Sequence, residues 1–166
     1  MATDYISNPL IIRRPDDWHL HLRDGDLLRT VIFSSSSHFQ RALVMPNLSP
    51  PITTVEMAEE YRNRICIANT IAVEKFKSEN PNENIDGSGD FNPYMTLYLN
   101  SEMSSQELKH VSNTPHVLAL KFYPAGATTN SSYKVSDFKS YYHVFEQMEK
   151  LDIVLCVHGE SINPSV

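Results

Sequence analysis

An α/β fold with a parallel sheet is what this sequence predicts, and three features carry that expectation. Short apolar runs alternate with longer amphipathic stretches, several runs are apolar almost without a break, and the stretches between them open on helix-start signals. Five runs qualify as strands. They are Leu10 to Ile12 continuing through Trp18 to Leu22, then Ala42 to Pro46, Tyr94 to Leu99, Val117 to Tyr123, and Ile153 to Val157.

The helices between them follow in order. Gly25 to Phe39 carries Leu27, Leu28, Val31 and Ile32 but ends in a serine run, so its last turns are expected to fray. Thr53 and Glu56 have capping-box spacing, and Met57, Tyr61, Ile65, Ala68 and Ala72 then recur in steps of four and three, one apolar stripe. Ser104 and Glu107 repeat the box ahead of Leu108 and Val111, while Asp137 is placed to cap a helix carrying Phe138, Tyr141, Tyr142, Phe145 and Met148. The segment 75–92 is polar, contains Pro81, Gly87 and Gly89, shows no period, and reads as a surface loop. Strand signals resume unchanged after it, so residues 1–166 read as part of a single domain.

A closed eight-stranded β/α barrel takes roughly 250 residues, so five strands amount to about the first five units of one. An open, doubly wound sheet would be complete at this length and is the structural alternative. Against it, no glycine-rich turn follows the first strand, and the chain has only five glycines.

Composition narrows the function classes. A net charge of −6 and a pI near 5.6 speak against nucleic acid, whose phosphates call for clustered Lys and Arg. No run of 18 apolar residues suggests a membrane span, and the first ten residues lack the basic and apolar regions of a secretion signal. Cys66 and Cys156 lie far apart, form no CxxC pair and read as buried thiols, so the expected location is the cytosol. Without a secretion signal, the glycosylation pattern at Asn47-Leu48-Ser49 and Asn130-Ser131-Ser132 carries little weight.

The strongest chemical feature is Trp18-His19-Leu20-His21-Leu22-Arg23-Asp24. In a strand, His19, His21 and Arg23 share one face and Trp18, Leu20 and Leu22 the other. Paired imidazoles can bind one zinc ion, and a guanidinium further along can take a carboxylate by paired hydrogen bonds. Two histidines bonded to backbone groups are the plainer alternative. His158 ends the run Ile153 to Val157, and strand carboxyl ends are where functional groups gather in parallel sheets. Lys121 stands inside the apolar Ala119 to Tyr123 strand, where a buried cation must lower its pKa, find a partner or snorkel to the strand end.

The motifs His19-Leu20-His21-Leu22-Arg23-Asp24-Gly25, Val44-Met45-Pro46-Asn47, Lys121-Phe122-Tyr123-Pro124-Ala125 running into Thr128-Thr129-Asn130-Ser131, and Val157-His158-Gly159-Glu160 together resemble the shorter, homodimeric type of dihydroorotase. Arg13-Arg14-Pro15-Asp16-Asp17-Trp18 is also similar, and the resemblance runs from Leu10 onward. It implies a (β/α)8 TIM-type barrel of the amidohydrolase kind with two zinc ions at its carboxyl-end mouth. His19 and His21 would bind the more buried zinc, a carboxylated Lys121 would bridge both, and His158 would bind the second and lie against the substrate. Arg23 and Asn47 match residues for the substrate carboxylate, and Thr128 a residue of the loop that closes over substrate. Asn47 otherwise reads as a turn residue and Thr128 as a loop hydroxyl. The implied reaction is the reversible opening of dihydroorotate to carbamoyl aspartate in pyrimidine synthesis, by a small-molecule enzyme that is a homodimer when complete.

Two elements of the family pattern have no counterpart here: a further zinc-binding histidine after the fifth strand and a proton-shuttling aspartate after the eighth. The 166 residues alone are therefore expected to hold the second zinc weakly, turn over little, and expose apolar edges that invite association. A non-catalytic product that binds zinc or a partner is the competing reading. A hydantoinase-like enzyme is a weaker one, because Arg23 and Asn47 suit a substrate with a carboxylate.

Overall fold

The computed structural model describes residues 11–83, 88–123 and 138–159. Five strands, β1 (Asp16–Leu20), β2 (Arg41–Val44), β3 (Asn92–Tyr98), β4 (Val117–Phe122) and β5 (Val154–Val157), form one sheet in the order β1-β2-β3-β4-β5. Every neighbouring pair is parallel. Between them run α1 (Gly25–Ser36), α2 (Val55–Glu79), α3 (Ser105–Asn113) and α4 (Tyr142–Lys150).

This order decides between the two architectures compatible with the sequence. A doubly wound sheet reverses its strand order at a switch point and carries helices on both faces, whereas here each strand pairs with the next in sequence. Consecutive crossovers of one hand then place all helices on one side. Packing agrees, because the main core joins Ala42, Val44, Leu97, Leu120 and Phe122 to Leu28, Ile32, Tyr61, Leu108 and Val144 from all four helices. The opposite face carries a smaller cluster, Leu43, Met45 and Ala119, that no helix residue joins. The result is a curled half-barrel with helices outside, a partial TIM-type barrel.

The strands are shorter than the apolar runs. Ile11 and Ile12 stand outside β1, 91% and 70% exposed, and β1 ends at Leu20, before His21. Arg23 adopts a left-handed φ of 59°, which turns the chain out of the strand direction. Asp24 then caps α1, its carboxylate accepting from the Gly25 amide at 2.9 Å.

The cap of α2 is Thr54 rather than Thr53, accepting from the Met57 amide at 3.3 Å. Tyr61, Ile65 and Ala68 of the expected stripe are buried, whereas Met57 and Ala72 are only half-buried. The loop expected over 75–92 starts later, because 75–79 are the last turn of α2 and Ser88–Asp90 form a 3₁₀ turn. Exposed polar residues with a Lys75–Glu79 pair at 3.9 Å suit a solvent-facing helix end as well as a loop. Ser104 caps α3 as its spacing predicts, accepting from the Glu107 amide at 3.1 Å. Asp137 lies outside the described residues, and α4 follows a 3₁₀ turn over Phe138–Tyr141 with no side-chain cap of its own. Cys66 and Cys156 are free and half-buried, less enclosed than expected. No helix of the described residues is long and apolar enough to cross a membrane.

Candidate metal and carboxylate site

Strand alternation sorts the chemistry from the core. On β4, Leu120 and Phe122 enter the helix-facing core, while Ala119 belongs to the opposite cluster and Lys121, two residues on, shares its face. Around Lys121, Tyr98 and Cys156 are its register partners on β3 and β5. His158 continues the ladder past β5 by donating its amide to the Phe122 carbonyl at 3.0 Å.

His19 and His21 arrive from β1, with ring centroids 5.3 Å apart and planes inclined at 43°. On a flat sheet, four spacings of ~4.8 Å would hold β1 about 19 Å from β5. Yet His19 experiences the charges of both Lys121 and His158, so the curl of the sheet brings β1 round toward β4 and β5. The four residues that the sequence offers as metal ligands thus converge on the helix-free face, at the carboxyl ends of their strands.

Both paired imidazoles are pushed below the ordinary histidine pKa. For His19 the largest cause is burial, followed by Lys121 and, more weakly, His158, with the Asp17 carboxylate opposing. For His21 burial again leads, followed by Arg23 and His19, while a hydrogen bond with Asn47 works against them. The neutral imidazole, the form that ligates metals, is favoured at both. Lys121 is 1% exposed, and burial lowers its pKa too, opposed only by nearby Cys156. Its ammonium nitrogen lies 5.1 Å from the centre of the Tyr123 ring, which stacks on Tyr98 with centroids 5.1 Å apart.

Arg23 and Asn47 line one cavity of about 260 Å³ together with Arg64, Ser49 and Met57. Asn47 is 2% exposed and sits in a loop closed by the Leu48 and Ile52 amides, both donating to the Pro46 carbonyl at 2.9 Å. The same loop is pinned to β3 by the Tyr98 amide, which donates to the Ile52 carbonyl. Thr128 lies outside the described residues.

Several neighbours of this site escape sequence reasoning. Tyr123 is readable as the i+2 companion of Lys121, but Tyr98, Tyr61 and Arg64 reach the region only through tertiary packing. Another group, Glu56, Glu107 and His110, brings its ligand atoms within 4.8 Å of one another, close enough to hold a metal ion. It lies where α2 meets α3, and a Glu107 oxygen already accepts from the Val55 amide at 2.6 Å, capping the start of α2.

No family model matches the chain. A dihydroorotase of Allorhizobium ampelinum is 45% identical over 157 residues, covering 95% of this chain and 40% of that protein. The crystal structure of dihydroorotase from Campylobacter jejuni superposes with a TM-score of 0.73 at 34% identity, covering 90% of this chain and 39% of its own. Dihydroorotase from Saccharomyces cerevisiae, solved in complex with 5-fluoroorotic acid, gives a TM-score of 0.65 at 28% identity over 89% of this chain and 36% of its own. The chain spans about two fifths of the length of these relatives. Over most of its length, the chain is similar in sequence and architecture to the amino-terminal part of these dihydroorotases.

Proposed function

We propose that this chain supplies the amino-terminal units of a zinc-dependent dihydroorotase, a single barrel domain that interconverts dihydroorotate and carbamoyl aspartate. The observation that carries the reading is the convergence of His19, His21, Lys121 and His158 on the helix-free face of the sheet, beside a cavity lined by Arg23 and Asn47. The donor set fits two zinc ions: two imidazoles whose neutral form is favoured, one on β1 and one just after it, a buried lysine on β4 and a histidine after β5. His19 and His21 would hold one ion, Lys121 would bridge, and His158 would hold the other. Bound there, zinc supplies Lewis acidity toward the ring carbonyl and makes water acidic enough to attack near neutral pH.

The chain's own residues do the rest. Burial favours the neutral amine of Lys121, which adds to carbon dioxide, forming an N–C bond and releasing a proton to leave an anionic carbamate. Arg23 offers paired donors to the substrate carboxylate and Asn47 a further polar contact, which orient the ring for attack. Asn47 also holds His21 in place by their hydrogen bond. Thr128 is proposed as a substrate contact on its sequence match alone. The complete enzyme is proposed to be a cytoplasmic homodimer.

The test is ring closure of carbamoyl aspartate by the full-length protein, with metal content measured by mass spectrometry. Turnover with about two zinc ions per subunit, lost on chelation and restored by zinc, is the expected result. Turnover of unsubstituted hydantoin in place of dihydroorotate would move the assignment to a hydantoinase. Zinc binding without turnover of either would leave a non-catalytic protein.

A further inference from the structure

The guanidinium proposed to take the substrate carboxylate belongs to a residue that cannot hold its own conformation unaided. Arg23 has a φ of 59°, a left-handed backbone that residues other than glycine rarely adopt. Something must over-determine that turn. Two residues of α2, three apart and therefore on one helix face, reach it from the side. Tyr61, fully buried, donates its phenolic hydrogen to the Arg23 carbonyl. Arg64 grips the next residue, Asp24, through Nε at 3.1 Å from both carboxylate oxygens and through a terminal nitrogen at 2.9 Å. The Arg64 guanidinium also lies 5.4 Å from the centre of the Tyr61 ring, so the two gripping residues brace each other. Asp24 in turn is fixed by capping α1.

We infer that Tyr61 and Arg64 are positioning residues for Arg23, and that they set affinity for a carboxylate-bearing substrate by holding the Arg23 turn in place, although Arg64 also lines the cavity. The inference rests on the dihydroorotase reading for its substrate, but its geometry does not depend on the metal site. Clamping from α2 fixes the backbone of a residue past the end of β1 at the cavity that it shares with Asn47. Orientation acts mainly on binding of the carboxylate, so loss of the clamp raises KM more than it lowers kcat.

The experiment uses the full-length protein with Tyr61→Phe, which keeps the buried ring, and Arg64→Met, which keeps the stem of a partly exposed side chain. Each variant is expected to raise KM for dihydroorotate about tenfold with kcat changed less than threefold. In an Arg23→Met background the same substitutions should add less than twofold. Equal KM increments with and without Arg23 would overturn the inference, because the two residues would then act independently of it. If the unsubstituted protein does not turn over dihydroorotate, the proposed function fails, and the clamp is read instead from phenylglyoxal modification mapped by mass spectrometry. Arg23 should then react at least threefold faster in both variants while Arg62 is unchanged, and an unaltered Arg23 rate would sink it.

Discussion

The two faces of the sheet do different work on the same few residues of chain. On the helix-facing side, Val44, Leu97, Leu120 and Phe122 meet apolar side chains from every helix, and burial there stabilises the fold. On the other side, burial works against the charged forms of Lys121, His19 and His21. Adjacent positions on β4 therefore face opposite sides of the sheet, one the apolar core and the other the proposed site. A strand lets both be set independently, because a change at one position leaves the packing of the next largely alone.

That separation is strongest where Lys121 and Phe122 sit side by side. Lys121→Met in the full-length protein is expected to lower kcat/KM by at least ~1000-fold, about 4 kcal/mol of transition-state stabilisation. Its midpoint in urea should stay the same or rise, because a buried amine is replaced by an apolar chain of similar length. Phe122→Ala should do the reverse, costing about 3–5 kcal/mol in urea unfolding while KM stays within about threefold. Parallel losses of stability in both variants would break the comparison.

Smaller effects sharpen it. Glu107→Gln removes the charge that caps α2 and should cost about 1 kcal/mol of stability without altering the zinc content of an active preparation. A fall in zinc stoichiometry measured by mass spectrometry would instead make the α2–α3 group a metal site. Smallest of all should be Asp16→Asn at the opposite end of β1. The Arg41 guanidinium, bonded through Nε at 3.0 Å, holds the Asp16 carboxyl below its ordinary value of 3.8. A depressed carboxylate stabilises the fold above that value and loses its contribution as pH falls through the folded-state pKa. Melting curves of the two proteins should therefore differ at neutral pH and converge in acid.

Much of this arrangement is legible in the amino-acid order alone. Alternation puts His19 and His21 on one face, and the end of an apolar run puts His158 at a strand terminus. Lys121 stands out because a cation amid Leu120 and Phe122 conflicts with its neighbours. Other features are illegible for physical reasons. Arg23 reads as continuing β1, since nothing local marks an arginine as left-handed when the restraint comes from Tyr61, 38 residues away. Thr53 and Thr54 are chemically equal as caps, and only the direction of entry into α2 chooses between them. The tail of α2 is polar on every exposed side, so periodicity gives no sign of where it stops. Curl is illegible too, yet it is what brings β1 round toward β4 and β5.

Sequential strand order also bears on how such a chain is made. Each described strand pairs with the one synthesised just before it, so this part of the sheet can accrete from the amino end as the ribosome advances. At roughly 5–20 residues per second, the interval from Asp16 to Val157 takes about 7–28 s to emerge, far longer than a β/α unit needs to dock. His19 and His21 thus emerge well before Lys121 and His158, so the proposed site would be assembled in the order in which it is translated.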